Sequence, residues 1–218
     1  MATRRVLAEL AQSYGRFSGQ GVAVESVGGV DAVRRIEAGE AFDFAVLSRH
    51  AIEQLAATGH VDRESPMDFA RSRIAVAVPT GARRPDIATA QGVRDAVLAA
   101  PSIGYSTGPS GRHLRRLFED WGVAQAIAAR TVEASPGVPV AALIARGEVT
   151  LGFQQLSELI GEPGIDVVGT LPEEIGEITV FAGAVCTSAR HAGAARAVLD
   201  FLASPATDAV KRRHGMEP

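Results

Sequence analysis

The sequence is poor in the residue types on which several classes of site depend. It holds one cysteine, Cys186, in 218 residues, which excludes an intrachain disulfide and a cysteine-rich metal site. Aromatic residues make up 5% of the chain and the formal net charge is −3, so we expect no nucleic acid among its partners. The run around the cysteine, "ITVFAGAVCT", is apolar and predicts a buried thiol rather than a nucleophile.

Long apolar runs and metal-ligand patterns are missing as well. No stretch reaches the roughly 18 apolar residues that a membrane-spanning helix needs, so we expect no direct insertion into a membrane. The first residues, "MATRRVLAELAQSYGRF", are amphipathic and charged, without the apolar core of an export signal, and a chain that begins here would stay in the cytoplasm. None of the five histidines has metal-ligand spacing or a carboxylate cluster beside it, so we expect neither a metal nor a cofactor.

The pattern that is present is an alternation of short helices and apolar strands, typical of an α/β protein with mostly parallel sheets. The predicted strands are "GVAVESVG", "FDFAVLS", "RSRIAVAVP", "SIGYS", "VTLGFQQ" and "EITVFAGAVCT". The long apolar strands 73–78 and 178–186 isolate about 100 residues between them, as in a chain that leaves one lobe, builds a second and returns. We therefore predict a discontinuous first lobe, 1–77 with 178–218, and a second lobe, 78–177, with a ligand-binding cleft between them.

One segment, "PSIGYSTGPSGRHLRRLF" at residues 101–118, supports three interpretations. Gly104 to Gly108 match G-x-S-x-G, the turn that presents a nucleophilic serine in α/β-hydrolases. The turn from Gly108 to Gly111 precedes a predicted helix, and it is also typical of an anion receptor made of hydroxyls and helix-start amides. The third interpretation is a strand-turn-helix connection that needs glycine and serine for backbone reasons alone.

The segment gives only weak support to a nucleophilic Ser106, and also to a nucleotide-binding loop at the turn from Gly108 to Gly111. A hydrolase needs an acid and then a histidine after Ser106, and Asp166 with His191 is the pair whose order fits. A nucleotide-binding loop needs Gly-Lys-Ser/Thr before its helix, whereas this chain has Gly-Arg-His there. The anion receptor, with Ser106, Ser110 and Gly111, and the capped helix without a ligand both remain open.

Three other segments carry similar chemistry. Ser48 ends a predicted strand and begins a helix, where it is either a helix cap or a further anion contact. Gly137, in "SPG" at 135–137, precedes another helix, and Gln155 lies at a strand end in "GFQQLSEL". Neutral amides and hydroxyls suit a desolvated anion because they donate hydrogen bonds without adding a countercharge. Arg71, beside a hinge strand, is either a charge partner for a carboxylate or a surface residue.

Four segments together resemble a known family: "FDFAVLSRHAIEQLAATGHV", "SIGYSTGPSGRHLRRLFEDWGV", "VAALIARGEVTLGFQQLSELI" and "VLDFLASPATDAVKRRHGMEP". They are similar, in order and over almost the whole chain, to the molybdate-binding-protein-like branch of the type II periplasmic solute-binding proteins. The resemblance implies two α/β lobes with two hinge crossovers, which close on an oxyanion held by hydroxyls and helix-start amides. It also implies a periplasmic monomer that delivers its ligand to the membrane component of an ABC-type importer.

The sequence departs from that family pattern at two places. Where molybdate binders resemble Tyr-x-x-Asp after a late strand, this chain has "QQLSE", which disfavours molybdate and resembles the subgroup that binds carboxylates. That subgroup includes aconitate isomerases, so a cofactor-free isomerase is the alternative to a di- or tricarboxylate receptor. Glu158 and His113 are candidate bases for it, and no catalytic residue is assigned. The family's first strand and serine loop would precede Met1, so we expect that strand to be missing and Thr3 to substitute for the serine.

The predicted ligand-binding residues are Thr3, Ser48, Arg71, Ser106, Ser110, Gly111, Gly137 and Gln155.

Overall fold

The structure is a computed structural model that describes residues 1–135 and 137–218, and it confirms the α/β class. Its helices are α1 Arg4–Ser18, α2 Gly29–Glu37, α3 Arg49–Ala57, α4 Ala90–Ala99, α5 Pro109–Asp120, α6 Ala124–Ile127, α7 Val140–Ala145, α8 Leu156–Leu159, α9 Ala192–Ala203 and α10 Asp208–Arg213. Its strands are β1 Phe44–Ser48, β2 Met67–Pro79, β3 Ile103–Ser106, β4 Thr131–Ala134, β5 Leu151–Gln155, β6 Ile165–Thr170 and β7 Ile178–Val185.

Contacts divide the described chain into two compact units. The first unit holds Met1–Ser72 and Thr179–Pro218, and the second unit holds Arg73–Ile178. The chain passes from the first unit to the second within β2 and returns at the start of β7. In the part of the chain that the structure describes, no helix has the length and apolar character to cross a membrane.

The first unit is built on the antiparallel pair of β1 and β7, with Phe44 opposite Val185. Helix α1 buries residues at helical spacing, among them Val6 and Leu10, because an amphipathic helix turns its apolar stripe to the core. Together with α9 it packs on Val185 and neighbouring side chains in one hydrophobic cluster. A second cluster joins Ala182 and Ala184 of β7 to α3, and it includes Cys186, whose predicted burial is confirmed.

The second unit is a sheet with the strand order β6-β2-β5-β3-β4. Alternate residues of β2 enter different clusters: Ile74 and Val76 pack with α4 and α5, whereas Ala75 and Ala77 pack with α7 and α8. Both faces of this sheet are therefore covered by helices, which explains why β2 reads as a continuous apolar run.

The strand pairing is mixed, which differs from the mostly parallel arrangement that the sequence predicts. Strand β3 is parallel to β4 and to β5, but β2 is antiparallel to β5 and to β6. A continuous apolar run reflects burial on two faces, which is commonest in parallel sheets, but here helices cover both faces of a strand whose pairing is antiparallel. The predicted strand "GVAVESVG" is wrong: residues 21–28 have no regular structure, and Val24 is exposed.

Candidate functional site

The candidate site lies in the second unit, where the parallel strands β4, β3 and β5 end together. Tyr105 of β3 is in register with Phe153 of β5, and Ser106 is in register with Ala134 of β4. The carboxyl ends of parallel strands are the edge at which α/β sheets bind ligands. This edge brings Ser106 and the end of β5 close together, and the predicted Gln155 is the last residue of β5.

Ser106 begins a tight turn into α5. Its Oγ accepts a hydrogen bond from the backbone N–H of Gly108 (3.3 Å) and lies 3.2 Å from Oγ of Ser110. Helix α5 has Gly108 as its N-cap and Pro109 as its first residue, a position that suits proline because its nitrogen needs no partner there. The first-turn amides of a helix have no acceptor within the helix and form its positive end. The turn therefore gathers two hydroxyls and a helix start at one point.

Gly111 shows how closely α5 approaches the end of β3. A Cβ atom added to Gly111 would lie 1.5 Å from the carbonyl oxygen of Ser106 and 3.2 Å from Cδ2 of Tyr105. Any side chain at this position would therefore push the helix away from the strand. The role of this glycine is the close approach, since Gly111 is not among the glycines with positive φ.

A buried polar network follows β5. The side-chain amide of Gln154 accepts from the backbone N–H of Val140 through Oε1 (2.9 Å) and donates to Oε2 of Glu158 through Nε2 (2.6 Å). Gln154 is 2% exposed, and burial raises the pKa of the Glu158 carboxyl above its ordinary value, although the hydrogen bond from Gln154 opposes this shift. The network therefore holds a carboxyl group that keeps its proton to a higher pH than a glutamate in water.

The role of Gln154 was not assigned from the sequence, where Gln155 is the predicted contact. Both glutamines are buried, and successive residues of a strand point to opposite faces. The sequence shows that the two amides lie at a strand end, but it does not show that Gln154 joins the start of α7 to Glu158. That pairing depends on residues 14 positions apart along the chain.

The other predicted contacts fall at separate places. Gly137 follows β4 with a positive φ of 82° and is exposed, and Pro136 of the same motif lies outside the described residues. In the first unit, Oγ of Ser48 accepts from the N–H of Ala51 (3.4 Å) as the N-cap of α3, so the capping interpretation holds there. Thr3 is buried at the start of α1, and the side chain of Arg71 is exposed.

The histidines considered for catalysis have other partners. Nε2 of His113 lies 2.7 Å from the carbonyl oxygen of Ile175 and Nδ1 lies 2.8 Å from Oε2 of Glu177, so both ring nitrogens face acceptors and neither is available to a substrate. In the first unit, Nδ1 of His191 lies 3.5 Å from Asp43. The contacts of the Ser106 hydroxyl are an amide and a second hydroxyl, which give no support to a nucleophilic serine. Within residues 1–135 and 137–218, no three metal-ligating side chains form a group.

Comparison with known proteins identifies the family and the fold of this chain. The chain matches the family model of the bacterial extracellular solute-binding protein over residues 1–217, and its fold is that of the type II periplasmic binding proteins. The chain therefore belongs to the bacterial extracellular solute-binding protein family, as the resemblance implied.

One related protein and two solved structures are similar to this chain over most of its length. The chain is 37% identical over 185 residues to an aconitate isomerase of Pseudomonas sp, a match that covers 84% of this chain and 70% of that protein. The periplasmic molybdate-binding protein of Azotobacter vinelandii has a TM-score of 0.83 at 19% identity, with 100% of this chain and 96% of that chain covered. Peb3 from Campylobacter jejuni has a TM-score of 0.76 at 12% identity, with the same coverage of 100% and 96%.

Proposed function

We propose that this protein is a receptor for a small anion, and that its ligand is a di- or tricarboxylate. The observation that carries the proposal is the Ser106 turn, in which two hydroxyls and the start of α5 meet at the carboxyl edge of β3. Family membership supports ligand binding, and the relationship to an aconitate isomerase at 37% identity favours a carboxylate over a metal oxyanion. Molybdate, tungstate and sulfate are the next candidates.

The chemistry of the turn suits an anion that has lost its water. Hydroxyls and backbone amides donate hydrogen bonds to oxygen atoms, and a hydrogen bond to a charged group contributes about 1.5–3 kcal/mol. The positive end of α5 adds a favourable interaction without a titratable group. Gly111 keeps this helix start against the end of β3, so the donors are held in place before the ligand arrives.

The biological setting is inferred from the family. We propose that the two units, Met1–Ser72 with Thr179–Pro218 and Arg73–Ile178, are the two lobes of the family's fold. The predicted boundaries, 1–77 with 178–218 and 78–177, differ from these units in assigning residues 73–77 and 178 to the first lobe. The proposed partner is the membrane component of an ABC-type importer, and the proposed location is the periplasm. Thr3, Ser48, Arg71, Gly137 and Gln155 remain proposed contacts.

A cofactor-free isomerase is the second candidate, because one observation favours it. Glu158 is a carboxyl group with a raised pKa, and its hydrogen bond from Gln154 fixes its orientation near the end of β5. Isomerisation of aconitate moves a proton across an allylic system: a base removes a proton from the methylene carbon, and the proton returns to the carbon at the other end of the double bond. Glu158 is the proposed base, since a carboxylate with a raised pKa is a stronger base than a glutamate in water.

The first test is a thermal-shift panel with molybdate, tungstate, sulfate, phosphate, citrate, cis-aconitate and trans-aconitate. A ligand at a hundred times its dissociation constant adds about 2.7 kcal/mol of stability, which raises the Tm of a chain of this size by roughly 5–10 °C. A shift with tricarboxylates supports the proposal. A shift confined to metal oxyanions would make the protein a molybdate-type receptor and overturn the carboxylate assignment.

Two variants separate the receptor from the enzyme. We expect Ser106→Ala to weaken ligand binding by about 1–3 kcal/mol, because a hydrogen bond to a charged group is lost, whereas Ser13→Ala, whose hydroxyl donates to a helix carbonyl of α1, should bind as the wild type does. In an isomerase, Glu158→Gln should bind aconitate normally and lose its turnover. If the wild type binds aconitate and does not interconvert its isomers, the isomerase hypothesis is wrong.

A further inference from the structure

The segment between β6 and β7, residues 171–177, packs on α5 and is held by the sheet. Leu171 is buried, and its N–H donates to the carbonyl oxygen of Ile74 in β2 (2.9 Å). The N–H of Ile175 donates to the carbonyl oxygen of Pro172 (3.1 Å), and its side chain packs on the hydrophobic cluster to which α5 contributes. The helix that begins at the proposed anion site therefore lies against a segment whose position is fixed by β2.

His113 of α5 contacts this segment through both nitrogens of its ring. Nε2 lies 2.7 Å from the carbonyl oxygen of Ile175, and Nδ1 lies 2.8 Å from Oε2 of Glu177. A carbonyl oxygen only accepts hydrogen bonds, so Nε2 carries a proton. An unprotonated Nδ1 at 2.8 Å would turn a lone pair toward the carboxylate, which repels it, so Nδ1 carries a proton as well. The geometry therefore fits the positively charged imidazolium, which has an N–H at each nitrogen.

The charge of Glu177 agrees with this assignment. Its Oε2 also accepts a hydrogen bond from Nη2 of Arg116 (3.3 Å), three residues after His113 on α5. A guanidinium donor favours the ionised carboxylate, and an ionised carboxylate has no proton to donate to the ring. The proton between Glu177 and His113 therefore belongs to the imidazole.

The other charged groups on the elements around the ring are exposed or have partners of their own. They are Arg112, Arg115, Glu119 and Asp120 on α5, Glu173 and Glu174 on the segment, and Arg73 on β2. Glu173 lies 3.8 Å from Arg73, and Oε1 of Glu174 accepts from the N–H of Ala90 (2.5 Å). Tyr105 of β3 stays neutral, because burial raises its pKa further. Of these side-chain types, histidine alone ordinarily changes its charge between pH 5 and 8.

We propose that His113, as an imidazolium, is a positioning residue that holds the start of α5 in place and makes anion binding dependent on pH. This inference rests on the proposed function of the Ser106 turn. His113 follows Ser110 by three residues, about 4.5 Å along the axis at a rise of 1.5 Å per residue, so its contacts restrain the first turn of the helix. When the ring loses one proton, one of its two acceptors faces a bare nitrogen and the restraint weakens. Anion affinity should therefore be greatest at low pH and fall as the pH rises.

The experiment measures citrate binding by titration calorimetry at pH 5.5 and pH 8, at constant ionic strength. We expect the ratio of the Kd at pH 8 to the Kd at pH 5.5 to be at least about fivefold larger in the wild type than in His113→Gln, since the variant has lost the ring and the protonation of citrate is the same for both. Glu177→Gln should also reduce the ratio, because its amide can donate to a bare Nδ1. It changes a side chain that is 40% exposed and serves if His113→Gln is unstable. His191→Gln, which removes a histidine of the first unit whose side chain is 73% exposed, should keep the wild-type ratio.

A second measurement needs no ligand and separates this inference from the proposed function. ¹⁵N NMR distinguishes protonated from bare ring nitrogens, and we expect both nitrogens of His113 to carry protons at pH 5.5, with the signals assigned by their absence in His113→Gln. A bare nitrogen at that pH would overturn the imidazolium. Equal Kd ratios in the wild type and His113→Gln would refute the coupling. If citrate and both aconitates bind the wild type at neither pH, the proposed function is wrong and the pH-dependent binding falls with it, whereas the NMR result still decides the charge of the ring.

Discussion

Replacing Gly111 by alanine sets two physical effects against each other. Gly111 lies in the first turn of α5, where helix propensity alone favours alanine over glycine by about 1 kcal/mol. The added Cβ would lie 1.5 Å from the carbonyl oxygen of Ser106, whereas ordinary contact begins at 3.4 Å. Helix and strand would have to separate by about 2 Å, and overpacking of a well-packed site typically costs 1–3 kcal/mol or more. Because a separation of this size puts the cost at the upper end of that range, about 3 kcal/mol, subtracting the gain of about 1 kcal/mol from helix propensity leaves an expected destabilisation of about 2 kcal/mol for Gly111→Ala.

Urea unfolding at equilibrium measures this difference as a lower midpoint at an unchanged m value. Gly108→Ala is the matched control in the same turn: its Cβ would lie 3.5 Å from Oγ of Ser106, and its φ of −75° suits any residue. We expect a loss below about 1 kcal/mol, since alanine is a poorer N-cap than glycine. Gly111→Ala should also weaken anion binding, because it moves the start of α5 away from Ser106. If Gly111→Ala is as stable as the wild type, the argument from close approach is refuted.

Three further predictions concern other parts of the chain. Ser48→Ala should lower the free energy of unfolding in urea by about 1 kcal/mol, because α3 loses its N-cap hydrogen bond. Ser48→Asp should retain most of the stability, because aspartate is also a good N-cap. Equal losses of stability in the two variants would argue against capping. The folded-state pKa of Glu158 is raised above 4.5, so its contribution to stability is present below pH 4.5 and is lost as the pH rises through the folded pKa. The free energy of unfolding of Glu158→Gln should therefore increase relative to that of the wild type as the pH rises through the folded pKa of Glu158. A difference between the two unfolding free energies that does not change with pH would contradict the raised pKa. Burial raises the pKa of Cys186 to about 11, which lowers the fraction of reactive thiolate at pH 8. Iodoacetamide at pH 8 should therefore label the folded chain at least about 100-fold more slowly than the chain in urea. Rapid labelling of the folded chain would show that the thiol is accessible.

Local features of the structure could be predicted from the sequence where neighbouring residues determine them. The apolar run of β2 and the helical spacing in α1 identify buried elements, since each pattern repeats with the period of its own backbone. Ser48 as a helix cap and Cys186 as a buried thiol follow from their immediate sequence context. The α/β class follows from the order of such elements.

Which strands form, and in which direction they pair, depends on interactions between segments that are distant along the chain. "GVAVESVG" alternates as a strand does, yet residues 21–28 form none in the structure, because a strand exists only where another strand pairs with it. The short strand β4 was not predicted, and it is stabilised by its parallel pairing with β3. Antiparallel pairing of β2 could not be predicted either, because side-chain alternation is the same for both directions.

In the candidate sites too, some features follow from the sequence and others only from the tertiary structure. The sequence by itself determined that the segment after β3 holds serines, glycines and a helix start, since these residues are adjacent along the chain. Only the tertiary structure showed that Gly111 lies against the carbonyl of Ser106, and that Gln154 joins Val140 to Glu158. It alone placed both ring nitrogens of His113 against acceptors of the segment 171–177. Each of these contacts depends on packing between separate elements, and packing depends on three-dimensional distances that residue spacing along the chain does not contain.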